Sequence, residues 1–171
     1  MEINISAKSN TINEVECVRI ARQVIGHYDV PIFTKEIVVE EGSVPHSHPV
    51  LTLNTKSKDP LVIFKTLLHE QLHWFVQQQS QYQEAIYYLK QNYKDNGEHN
   101  KSGTYPNSFW EHLIVCFNTR NILVEVFSVD EIEHVYNQWQ AYPETEAFVV
   151  DNFSKLKNDL EKFGMIYVKG V

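Results

Sequence analysis

The sequence predicts an α+β fold, mainly helical, with a small β-sheet drawn from the first third of the chain. Three observations predict it. Two runs rich in β-branched residues, 32–40 (IFTKEIVVE) and 50–55 (VLTLNT), are bracketed by Glu-Gly-Ser and Pro signals and lie early in the chain. From Asp59 onward, apolar residues recur at helical spacing in one segment after another. The length of 171 residues suits a single domain, 1–171, large enough to bury a core without disulfides.

The elements follow in order. Thr11 or Asn13 can cap a first helix in which Val15, Val18, Ile20, Ala21, Val24 and Ile25 recur up to Gly26. Between the two predicted strands, Pro45 and Pro49 enclose His46 and His48 in a stiff PHSHP turn. An exposed turn histidine is more often solvated than metal-bound, so this pair is not expected to hold an ion. A long helix then runs from Asp59 to Gln79, with Asp59 as N-cap and Pro60 at the first helical position, where a missing N–H costs nothing. Tyr82, Ala85, Ile86, Leu89 and Tyr93 mark an amphipathic helix, followed by a polar loop at 94–104 that contains His99. Asn107 to Phe127 reads as a second largely apolar helix. Ser128 and Glu131 form a capping box for a helix carrying Ile132, Val135, Tyr136 and Trp139. Val149, Phe153, Leu156, Leu160 and Phe163 line one face of a last helix that Gly164 ends, and Met165–Val168 reads as a terminal strand.

The helix from Asp59 carries the chemistry. Placed about 100° apart, Leu61, Phe64, Leu67, Leu68, Leu72, Trp74 and Phe75 cover a broad arc, which predicts a mostly buried helix. Val62, Thr66, His69, Glu70, His73, Val76 and Gln77 share the other side. Two imidazoles and a carboxylate in such a helix need partners, because unpaired buried polar groups are costly. A metal ion supplies one. His69 and His73, four residues apart, leave the same face one turn apart and can converge on a single tetrahedral ion. Glu70, rotated by about 100°, is poorly placed to join them but well placed to reach a water beside the ion.

These residues form the pattern HExxH, and in it the chain resembles the zincin metallopeptidases. The resemblance covers five residues and their helical context. It implies a zincin-like active-site helix, a Zn²⁺ ion on His69 and His73, and Glu70 as general base. In zincins the strand before this helix commonly lies along the cleft, which would set His46 and His48 near its edge. A catalytic zinc needs a third protein ligand and an open position for water. Metzincins place a third His six residues after the second, but position 79 is Gln, so that subclass is excluded. In many other zincins the ligand comes from a later helix. Glu111 and His112, side by side in 107–127, are the candidates. Glu111 shares a stripe with Asn118 and Glu125 that reads as a solvated face, whereas His112 borders Cys116, Thr119 and Leu123 on the flank of the apolar arc. His112 is therefore the expected third ligand, with Glu111 as the alternative and a core imidazole bonded to a carbonyl as the plain structural role of His112. His134 and Tyr142 are the downstream groups that can donate to a developing oxyanion.

Composition narrows the partners. The net charge of −7, with no Lys/Arg cluster, argues against nucleic acid or an anionic membrane surface. No apolar run reaches spanning length, and MEINISAKSN lacks the basic and apolar regions of a signal peptide, so a cytoplasmic chain is expected. Cys17 and Cys116 give no disulfide framework. The expected function is zinc-dependent hydrolysis of a peptide bond in a peptide or protein substrate. The alternatives are a catalytically inactive zinc-containing regulatory or protein-binding domain, and a helical interaction protein with an incidental motif. Oligomeric state is not legible.

Overall fold

The computed structural model describes residues 3–93, 107–138 and 141–169. In chain order the elements are β1 (Asn4–Ala7), α1 (Ile12–His27), β2 (Glu36–Val39), β3 (Leu51–Leu53), α2 (Pro60–Gln78), α3 (Tyr82–Asn92), α4 (Asn107–Val126), α5 (Val129–Gln138), α6 (Pro143–Asp151) and α7 (Phe153–Glu161). The chain is mainly helical with one small sheet, the α+β class its sequence predicts. The predicted 94–104 loop with His99, and Trp139 of the predicted stripe, lie outside the described residues. No helix among the described residues is long and apolar enough to cross a membrane. Two compact units are formed, Met1–Trp74 with Phe127–Trp139, and Phe75–Val126 with Gln140–Val171. The division falls inside α2, where no Gly or Pro marks it.

In the first unit the strands are all parallel, in the order β1-β2-β3. The sequence does not announce β1: four residues with Ile5 alone buried carry too little alternation to read as a strand. Thr11, not Asn13, caps α1. Its hydroxyl accepts from Glu14 N while the Glu14 carboxylate accepts from Thr11 N, a reciprocal pair that satisfies two helix-end donors. The PHSHP turn folds back on β3: His46 N donates to Thr52 O at 3.1 Å, and Thr52 N to His46 O at 2.8 Å.

Helix α2 begins where the sequence places it. The Asp59 carboxylate accepts from Leu61 N at 2.8 Å and meets His134 Nε2 from α5 through its other oxygen. Residues 62–73 are buried without exception, so this segment is enclosed on every side rather than along one stripe. Tyr28, Phe64 and Phe127 pack edge to face at its start, with ring centroids 5.0 to 5.2 Å apart. Lys65, buried to 1% exposure, places its ammonium 3.9 Å over the Tyr136 ring. Gln71 is wholly buried as well. Its amide oxygen accepts from Phe33 N and Thr34 N and its amide nitrogen donates to Thr34 O, so it clamps the chain that leads into β2.

In the second unit α6 and α7 pack against α4. Two sequence expectations are corrected here. The single helix expected to carry Val149, Phe153, Leu156, Leu160 and Phe163 is two helices, because Asn152 leaves helical geometry at φ −112° and ψ 14° and its side chain bonds back to Phe148 O. Met165–Val168 is not a strand: Asn118 of α4 accepts from Tyr167 N at 2.7 Å and donates to Met165 O at 2.8 Å. Asn118 is thus fully buried, so the stripe expected to be solvated is exposed at Glu125, half-exposed at Glu111 and dry at its middle. Gly164 ends α7 as expected, in the left-handed region at φ 63°.

Asp159 on α7 is buried and accepts from Tyr88 at 3.0 Å, Tyr93 at 2.9 Å and Lys162 at 2.7 Å. Burial alone would raise its carboxyl, but these donors outweigh burial and hold it below the ordinary 3.8. A carboxyl lowered in the folded state stabilises the fold above its unfolded value and loses that contribution as the pH falls through its folded one. Acid unfolding should therefore steepen below about pH 4 in the wild type and lose that component in Asp159→Asn. At neutral pH, Asp159→Ala should cost about 2 kcal/mol, since the buried Tyr93 hydroxyl loses a charged acceptor. Urea titrations of the three proteins across the acid range measure both effects.

Candidate metal centre

The three histidines named by the sequence come together. One ring nitrogen each of His69, His73 and His112 lies within 4.8 Å of the other two. His69 and His73 leave the same face of α2 one turn apart. Their rings meet edge to face with centroids 5.1 Å apart, and both side chains are buried. Four residues along α4 from Ser108, His112 shares a face with that residue's carbonyl, and its Nδ1 lies 2.7 Å from Ser108 O. A carbonyl accepts only, so Nδ1 carries the hydrogen and Nε2 carries the lone pair. That is the ligand tautomer, fixed by the backbone of the ring's own helix.

The donor set fits a metal ion. Three nitrogens on one tetrahedral zinc stand roughly 3.3 Å apart for bonds of about 2.1 Å, so the trio needs small ring movements to close on an ion. Nε2 of His69 is buried and no hydrogen bond reaches that atom among the described residues. An ion held by the trio would meet it. Three imidazoles suit zinc and the neighbouring transition metals rather than magnesium or calcium, which prefer oxygen.

Glu70 lies between His69 and His73 in the sequence of α2 but leaves the helix on a different bearing. It is 5% exposed, and burial pushes its carboxyl up to about 7 against the opposing pull of His73 and His46. His46 therefore stands within electrostatic reach of Glu70, on a turn pinned to the last turns of α2. There Trp74 Nε1 donates to Ser47 O at 3.0 Å, and the His48 ring stacks on the Trp74 indole with centroids 4.1 Å apart. Both histidines are exposed, and neither belongs to the metal-competent group.

Glu111, the alternative third ligand, is engaged elsewhere. Its carboxylate accepts from Gln77 Nε2 at 2.9 Å and from the Tyr82 hydroxyl at 2.8 Å. Burial and the adjoining carboxylate push the Tyr82 hydroxyl above its ordinary 10.0, so it remains a donor throughout the neutral range. Of the two expected oxyanion donors, Tyr142 packs its ring against that of His112, with centroids 4.0 Å apart. His134 does not. It is committed to Asp59 at the start of α2, and ten residues of helix put that point about 15 Å from His69. The roles of Ser108, Gln77 and Tyr82 escaped sequence inspection. The spacing of Ser108 and His112, four apart on a helix, was the available signal for the first. Both cysteines are buried and free. Comparison with protein-family models, with curated proteins and with solved structures gives no match to this chain.

Proposed function

We propose that this protein is a metal-dependent hydrolase, most concretely a zinc metallopeptidase of the HExxH type acting on a peptide or protein substrate. The observation that carries the proposal is the grouping of His69, His73 and His112 within 4.8 Å, with a buried Glu70 on the same helix as two of them. His69, His73 and His112 would hold the ion through ring nitrogens. When bound, zinc supplies Lewis acidity that lowers the pKa of water toward neutrality and polarises a carbonyl. Glu70 takes a proton from the attacking water and later delivers it to the leaving amine, a role open to a carboxylate one residue from His69 on the same helix. Tyr142, whose ring packs against that of His112, would be the side chain to donate to the developing oxyanion. The acidic charge of the chain favours neither nucleic acid nor an anionic membrane as partner.

A catalytically inactive zinc-containing regulatory or protein-binding domain is the second reading. The burial of His69, Glu70 and His73, each at 6% exposure or less, favours it, because a site that turns over must admit its substrate from solvent. Tag-free protein, analysed for metal and assayed on a mixed peptide library before and after chelation, separates the two. One zinc per chain with chelator-sensitive, zinc-restored cleavage supports the peptidase. Tightly held zinc without any cleavage supports the regulatory domain, and a metal-free, metal-indifferent protein removes both.

A further inference from the structure

Three polar side chains, none of them in the metal-competent group, form a strut beside it. Gln77 lies four residues beyond His73 on α2, hence on the same face one turn further along. Glu111 immediately precedes His112 on the first turns of α4. Gln77 Nε2 donates to Glu111 Oε1 at 2.9 Å and the Tyr82 hydroxyl donates to Glu111 Oε2 at 2.8 Å, so both carboxylate oxygens are held. The last turn of α2, the start of α3 and the turn of α4 that bears His112 are thereby fixed to one another within the second unit. Charge-assisted bonds to both oxygens of one carboxylate are stronger and more directional than neutral ones.

We infer that Glu111, locked by Gln77 and Tyr82, is a positioning residue that holds the α4 turn in register so that His112 faces His69 and His73. The inference rests on the metal-centre reading and adds to it a determinant of affinity that makes no bond to the ion. Glu111 also brings a negative charge one residue from a ligand to a cation, which works in the same direction as the positioning. Because His112 is already oriented about its own axis by Ser108 O, what remains to be set is the placement of its turn, and the strut sets that.

The test measures zinc affinity by chelator competition, the visible spectrum of the cobalt-substituted protein, and the melting temperature of the apo protein. Glu111→Ala should weaken zinc by roughly 10- to 100-fold, the range typical of lost outer-shell support, and alter the cobalt bands. Glu111→Gln retains an oxygen that accepts from Tyr82 and should recover most of the affinity. Tyr82→Phe, which removes one hydroxyl and little else, should fall between them with an apo melting temperature close to wild type. Unchanged zinc affinity and cobalt spectrum in both Tyr82→Phe and Glu111→Ala would overturn the inference while leaving the metal centre standing. A Glu111→Gln loss as complete as that of His112→Ala would make Glu111 a ligand and overturn its positioning role. Zinc affinity indifferent to His112→Ala would strike His112 from the centre and overturn this inference with it, and a wild type that binds no zinc would overturn the centre and this inference together.

Discussion

Replacing Glu70 with Gln is expected to lower peptide hydrolysis by ~100-fold or more while zinc remains bound. The substitution keeps side-chain length, volume and helix propensity, so α2 should hold its place. It removes the group that can accept a proton from water. An amide in that position can still hydrogen-bond a water but cannot deprotonate it at neutral pH. Because Glu70 is 5% exposed and its carboxyl is pushed up by burial, the neutral amide should also be no less stable than the wild type. Activity, zinc content and melting temperature on one preparation give the three readouts. Wild-type turnover with zinc bound would assign the base to another group and remove Glu70 from the mechanism. Lost turnover together with lost zinc would show that Glu70 supports the ion rather than the proton transfer.

The parts of the fold legible in the sequence are those specified by contiguous residues. The Asp59-Pro60 start of α2, the Ser128/Glu131 capping box and the Gly164 stop are each written in one to four neighbouring positions, and each is found. The breaks that went unread depend on tertiary context. Asn152 interrupts a continuous apolar stripe by bonding its own backbone, and nothing in the periodicity of Val149, Phe153 and Leu156 signals that choice. Asn118 reads as a solvated residue until the segment after Gly164 arrives to use it, 47 and 49 residues away in sequence. The same distinction runs through the candidate site. His69, Glu70 and His73 were legible because helical spacing alone puts them on known bearings. The stripe argument that prefers His112 to Glu111 names a residue that does lie close to His69 and His73, although the supposed polar stripe is itself partly buried. The strut through Gln77 and Tyr82 joins three elements, and no local pattern encodes it.

Zinc should raise the melting temperature of the wild type, and that rise should vanish in His69→Ala, His73→Ala and His112→Ala. A ligand that binds only the folded state stabilises it by about 4 kcal/mol when present at 1,000 times its dissociation constant. For a domain of this size that corresponds to a shift of roughly 8 to 16 °C. The difference between zinc-loaded and apo protein is the quantity to compare, because truncating buried His69 or His73 also leaves a cavity that lowers the melting temperature by itself. His112 is half-buried at the edge of α4, so its apo protein should melt closest to wild type and give the cleanest reading. Two imidazoles without a third hold zinc weakly, which is why loss of any one member should remove most of the rise. A His112→Ala protein that keeps the full wild-type rise would strike His112 from the centre and leave the pair on α2 in need of another partner. Equal rises in all three variants and the wild type would mean that zinc stabilises the chain from somewhere else, and the HExxH helix would then be scaffold alone.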